Sequence, residues 1–131
     1  MNPGELLYAE THEWVRLLEE GDTKVAVIGI TAFAVEQLVD VTYLEMQPVG
    51  STTRAAEEMG EIESVKAVSS IFSPVQGEII AVNEELGENL QLLSDDPYQA
   101  GWMVKIRIDD ETGLEKLMDY AAYEAQCGEE G

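Results

Sequence analysis

Two stretches of this 131-residue chain repeat one another, and the repeat limits the possible folds more than composition does. Val39-Asp40-Val41-Thr42, running on to Pro48-Val49-Gly50, can be laid on Gly77-Glu78-Ile79-Ile80, running on to Glu85-Leu86-Gly87. From 39 to 77 the offset is 38, and from 50 to 87 it is 37. Each copy enters a strand through a small or acidic corner and leaves it at a glycine turn. The sequence therefore predicts a quasi-symmetric pair of small sheets.

The rest of the chain reads as strands with little helix. Val25 to Ile30 is short, β-branched and followed by a polar break, which suits a buried strand. Thr31 is a candidate N-cap for a short helix over TAFAVEQLV, with Ala34 and Leu38 four apart on one face. Val41 to Met46 alternates and stops at the turn Gln47-Pro48-Val49-Gly50, and Glu78 to Asn83 alternates before a turn at Glu84 to Gly87. After the turn Asp95-Asp96-Pro97-Tyr98, WMVKIRI sets Trp102, Val104, Ile106 and Ile108 against Met103, Lys105 and Arg107. Trp14 and Trp102 read as core aromatics. Leu114, Leu117, Met118 and Ala121 recur at helical spacing after Thr112, which predicts a C-terminal helix ending in a frayed tail at 128–131.

Charge excludes whole classes of function. Seven Lys and Arg against 27 Asp and Glu give a net charge of −20, which rules out direct binding to nucleic acid and disfavours anionic membrane surfaces. Hydrophobic residues at 45% are too many for a chain kept disordered by its charge, so residues 1–131 are expected to form a single domain. Its longest weakly polar run, Val25 to Val35, falls far short of the roughly 20 residues that span a bilayer. The acidic start MNPGELLYAETHEWVR lacks the features of a secretory or transit signal, which points to the cytoplasm. With one cysteine, Cys127, and one histidine, His12, no cysteine-based zinc site or internal disulfide can form, and His12 reads as a buried or capping residue. No G-x-S-x-G, Gly-rich phosphate loop or Cys–His pair occurs, so the chain does not read as an enzyme.

What stands out chemically is Lys66, the one basic residue between Arg54 and Lys105. It lies between the two copies with small or apolar neighbours, Glu63-Ser64-Val65-Lys66-Ala67. A lysine amine at such a turn is an accessible nucleophile on a flexible stem, and acylation would turn it into a long neutral arm on a rigid base. That is the design of a carrier protein; the plainer reading is a solvated turn lysine.

Together the motifs resemble the glycine cleavage H-protein family of lipoyl carriers over nearly the whole chain. The resemblance rests on His12-Glu13-Trp14-Val15, Gly29-Ile30-Thr31, Pro48-Val49-Gly50, Glu63-Ser64-Val65-Lys66-Ala67, Ser73-Pro74-Val75 with Gly77-Glu78, Val82-Asn83, and Asp96-Pro97-Tyr98 with Gly101-Trp102. It implies a mainly β, lipoyl/biotinyl-type barrel-sandwich hybrid of two quasi-symmetric sheets, with a short internal helix and a C-terminal helix. It further implies lipoic acid in amide linkage to Lys66, attached by a lipoate ligase or lipoyl transferase. The partners implied are a glycine decarboxylase, an aminomethyltransferase and a dihydrolipoyl dehydrogenase, among which the arm carries the aminomethyl group of glycine.

The family shelters the loaded arm in a surface cleft, and by resemblance Thr11, Glu13, Phe33 and Ser70 would line it here. Thr11 and Glu13 are retained. Ala32-Phe33 replace a common Asp-His, Ser69-Ser70 replace Ser-Asp, Val39 stands where glycine turns a corner, and Ser94 replaces an Asn. The altered cleft keeps a second reading open, an H-like carrier in lipoate relay or sulfur oxidation. A third is an unmodified interaction module.

Overall fold

The computed structural model describes residues 6–38, 41–55, 57–65, 68–96, 98 and 100–130. At 20, 37, 38, 87, 94, 111, 112, 116, 129 and 130 it describes the backbone alone. Val39, Lys66 and Pro97 lie outside the described residues.

In chain order the elements are β1 (Leu7–Tyr8), β2 (Glu13–Glu20), β3 (Thr23–Ile30), α1 (Ala32–Leu38), β4 (Val41–Met46), β5 (Thr52–Thr53), β6 (Glu58–Ser64) and β7 (Val68–Phe72). β8 (Gln76–Val82), α2 (Glu85–Glu88), α3 (Leu92–Asp95), β9 (Val104–Asp110), a 3-10 helix (Glu111–Lys116) and α4 (Tyr120–Glu130) follow. The strands make a six-stranded antiparallel sheet in the order β1-β2-β3-β9-β8-β5 and a three-stranded one in the order β4-β6-β7. The two repeated segments fall one in each sheet, β4 in the smaller and β8 in the larger. The mainly β architecture with an internal and a C-terminal helix is the one expected.

The predicted elements form for local reasons. β-branched residues fill β3, and Thr31 caps α1, its hydroxyl accepting the N–H of Ala34 at 3.2 Å. The turn after β4 closes with Ser51 N–H donating to Pro48 O at 3.1 Å. The core lies between the sheets: Val15, Ala26, Ile28, Ile79 and Ile106 from the larger meet Met59, Ile62 and Ile71 from the smaller. A second cluster, Leu6, Tyr8, Trp14, Val27 and Tyr123, covers the other face of β2 and β3. Tyr123 of α4 stacks on Tyr8 with ring centroids 4.6 Å apart. Gly29 makes this packing possible, because a Cβ there would sit 2.7 Å from the Trp14 indole.

Two predicted elements are corrected. The last β9 strand begins at Val104, not at Trp102, and Met103 is buried in the main core instead of sharing the polar face. The Asn83 side-chain amide donates to Ala100 O and Trp102 O at 2.9 and 2.8 Å, drawing that stretch out of the pleat and leaving Trp102 half-buried beside the second cluster. The predicted helical stripe after Thr112 is also broken. Met118 exchanges two backbone hydrogen bonds with Tyr8, at 2.7 and 2.8 Å, so it belongs to a bridge, not a helix. α4 starts only at Tyr120, where the Asp119 carboxylate accepts the Ala122 N–H at 2.9 Å. Ala121 is consequently exposed, and Tyr123 takes the buried position.

Candidate functional site

The turn preceding β2 sets up the site. Ala9 N–H donates to Glu13 O and His12 N–H to Ala9 O, both at 2.9 Å, and His12 takes a left-handed conformation with φ of 75°. A non-glycine residue there costs about 1–2 kcal/mol, so tertiary contacts must hold it. They come from α4 and α1. The Tyr123 hydroxyl lies 2.6 Å from His12 Nδ1 and 2.6 Å from Thr31 Oγ1, and Phe33 rests against the imidazole with centroids 4.9 Å apart.

This anchored turn directs Thr11 and Glu13 toward the smaller sheet. A cavity of about 300 Å³ forms there, bounded by the turn, by Ile30, Phe33 and Ala34, by Ile62 of β6, and by Ser69, Ser70 and Ile71 of β7. All four residues expected from sequence, Thr11, Glu13, Phe33 and Ser70, line it. Thr11 and Ser70 are exposed, whereas Glu13 is only 2% exposed. The Glu13 carboxyl accepts hydrogen bonds from the Thr11 hydroxyl and, at 3.4 Å, from Phe72 N–H. Burial nevertheless dominates and pushes its pKa up to about 7, the hydrogen bonds opposing the rise. Such a carboxyl exchanges its proton near neutrality and would ionise fully beside a cationic group. A second cavity, about 360 Å³, shares both Thr11 and Glu13 with the first.

β6 and β7 form an antiparallel hairpin whose last described pair is Glu63↔Val68. Four positions, 64–67, connect the pair, and Lys66 is among them although it lies outside the described residues. Ser70 follows Lys66 by four residues, at most about 14 Å of extended chain. The described residues flanking the connection are open, Val65 being 66% and Val68 61% exposed. The apolar walls and single buried carboxyl fit a lipoyl arm better than a metal. Among the described residues no three His, Cys, Asp or Glu side chains gather, and no helix is long and apolar enough to cross a membrane. Sequence reading missed Tyr123 as the clamp on the turn, although Tyr123 and Cys127, four apart, mark one side of α4.

Comparison with known proteins decides the family. The model of the glycine cleavage H-protein family matches residues 6–130. The chain belongs to this family. It is 52% identical over 130 residues to the glycine cleavage system H protein of Rhodopirellula baltica, covering 99% of this chain and 98% of the relative. With the protein of the same name from Marinobacter nauticus it shares 49% over 121 residues, 92% of this chain and 91% of the relative. The fold matches the crystal structure of a glycine cleavage system H protein from Mycobacterium marinum with a TM-score of 0.83 at 32% identity, covering 97% and 99% of the two chains. Family membership makes the chain a non-catalytic carrier.

Proposed function

We propose that this chain is the lipoyl carrier of a glycine cleavage system, with lipoic acid in amide linkage to Lys66. The observation that carries the reading is the β6–β7 hairpin, whose connection, with the paired Glu63 before it, spans the E-S-V-K-A motif and whose second strand walls a cleft containing a buried carboxyl. When attached, the dithiolane supplies the redox and group-transfer chemistry, and through it the aminomethyl group of glycine passes into one-carbon metabolism. The protein's own residues do the rest. Ile30, Phe33, Ile62 and Ile71 offer the arm an apolar wall that excludes water. Glu13, held by Thr11 and Phe72, ionises to face an ammonium group in the cleft. Thr11 and Ser70 supply hydroxyls at its mouth.

In this role the carrier visits glycine decarboxylase, aminomethyltransferase and dihydrolipoyl dehydrogenase, after a lipoate ligase or lipoyl transferase has modified it. The charge of −20 favours encounter with basic entrances and keeps carriers apart from one another. We place it in the cytoplasm, where a free Cys127 and an arm that cycles through a dithiol suit the reducing conditions.

Co-expression with a lipoate ligase followed by intact-mass and peptide mass spectrometry tests the reading. Wild type should gain one lipoyl group on Lys66 and Lys66→Ala none, with Lys24, Lys105 and Lys116 unmodified in both. Modification that persists in the variant refutes the assignment.

A further inference from the structure

We infer that the outer face of the six-stranded sheet holds a second binding site, for a small planar anion: an aromatic ring bearing a carboxylate or phosphate. Its place is a cavity of about 260 Å³ lined by Arg16, Lys105, Trp14, Trp102, Tyr98 and Val27. The register of the sheet builds it. Arg16 pairs with Val27, and Val27 with Lys105, so the two cations stand on one face of β2 and β9 with Val27 between them. Two strand spacings, about 10 Å, separate their backbones, a gap that long side chains close around an anion. Along β2, Trp14 and Arg16 share this face, while Glu13 points to the opposite side and lines the cleft described above.

Charge makes the placement informative. In a chain with 27 acids and seven Lys and Arg, two of the seven line one small cavity. Among the described residues neither Arg16 nor Lys105 forms an ion pair, whereas Arg107, next but one along β9, is paired with Glu78. Lys105 Nζ instead sits 5.1 Å from the centre of the Trp102 ring, a cation–π contact that an incoming anion can draw it from. Arg16 supplies a planar fork suited to carboxylate or phosphate. Tyr98 and Trp102, both half-buried, present aromatic surface to a ring, and Tyr98 packs against the buried Trp14 indole with centroids 6.1 Å apart and inclined at 50°. The volume is below that of drug-sized sites, which limits the ligand to about one ring and its anionic group. None of these residues belongs to the cleft or to the Lys66 connection, so the inference does not depend on the proposed function.

Both tryptophans of the protein line this cavity, so two indole N–H signals in a ¹⁵N–¹H correlation spectrum report its occupancy directly. The full-length chain is titrated with phenyl phosphate, with cyclohexyl phosphate, with inorganic phosphate, and with sodium chloride at matched ionic strength. Phenyl phosphate should shift both indole signals saturably and bind about tenfold more tightly than either aromatic-free phosphate, as loss of ring stacking predicts. Arg16→Gln and Lys105→Gln, made separately at solvent-accessible positions, should each weaken it about tenfold, the worth of one charge-assisted hydrogen bond. Unchanged melting temperatures for the two variants confirm that folding is intact. Shifts reproduced by sodium chloride, equal binding of cyclohexyl and phenyl phosphate, or binding that survives both substitutions would each overturn the inference.

Discussion

The two sheets of this carrier differ in how they are covered, and the difference separates holding from presenting. β3 of the larger sheet is buried along most of its length, from Val25 to Ile30, because the main core covers one face and the aromatic cluster the other. β4 of the smaller sheet has no fully buried residue, and Tyr43 on it is 45% exposed. Across the smaller sheet's outer face like charges stand opposite one another, Glu45 against Glu61, an arrangement that weakens a sheet by a few tenths to about 1 kcal/mol. The larger sheet thus fixes Glu13 and the turn before it, and the smaller one offers the β6–β7 hairpin, whose flanking residues Val65 and Val68 are open to solvent.

The comparison predicts unequal tolerance to truncation. Trp14→Ala in the larger sheet should cost roughly 3–5 kcal/mol, since its indole is fully buried over Gly29. Tyr43→Ala in the smaller should stay within about 0.5 kcal/mol. Trp102, half-buried, should fall between them. Urea denaturation of the three variants measures this, and equal losses would erase the distinction between the sheets.

A second expectation sharpens the contrast through pH. The Glu13 carboxyl is raised from 4.5 to about 7 by burial, so between those values the folded chain keeps a proton that the unfolded chain has released. Stability from this group is complete below pH 4.5 and is lost as pH rises through 7, a change on the order of 3 kcal/mol. Glu13→Gln cannot titrate. Its stability relative to wild type should therefore rise between pH 4.5 and 8. Denaturant midpoints at three pH values decide it, and parallel curves for Glu13→Gln would show that the carboxyl is not held in a desolvated state.

The smallest effect concerns the cleft between the sheets. Phe33 and Ser70 bring no charge to the cleft, so under the proposed function Glu13 is the carboxyl left to face an amine. Ser70→Asp and Phe33→His should each slow spontaneous ammonia release from the loaded, lipoylated protein a few-fold, a modest share of the roughly 1.5–3 kcal/mol of a buried charge-assisted hydrogen bond, because Ser70 is exposed. If neither slows release, these two positions have no protective role.

Much of this was legible in the sequence because it depends on neighbours in the chain. A short β-branched run marked β3, alternation marked β4 and Thr31 announced the cap of α1, while Thr11, Glu13, Phe33 and Ser70, singled out by resemblance, line one cavity. Other features depend on contacts between distant segments. The start of α4 was decided by Met118 pairing with Tyr8, 110 positions away, and a helical period in the sequence carries no trace of that competing partner. The start of β9 was set by the Asn83 amide claiming the carbonyls of Ala100 and Trp102. His12 could adopt its left-handed turn only because Tyr123 reaches it across the molecule. Arg16 and Lys105, scattered charges in the sequence, became neighbours only when β3 was laid between β2 and β9. Local patterning determines which segments can be strands and which residues can carry chemistry. Which side chains meet is decided by sheet register and by the hydrogen-bond partners that burial compels the backbone to find.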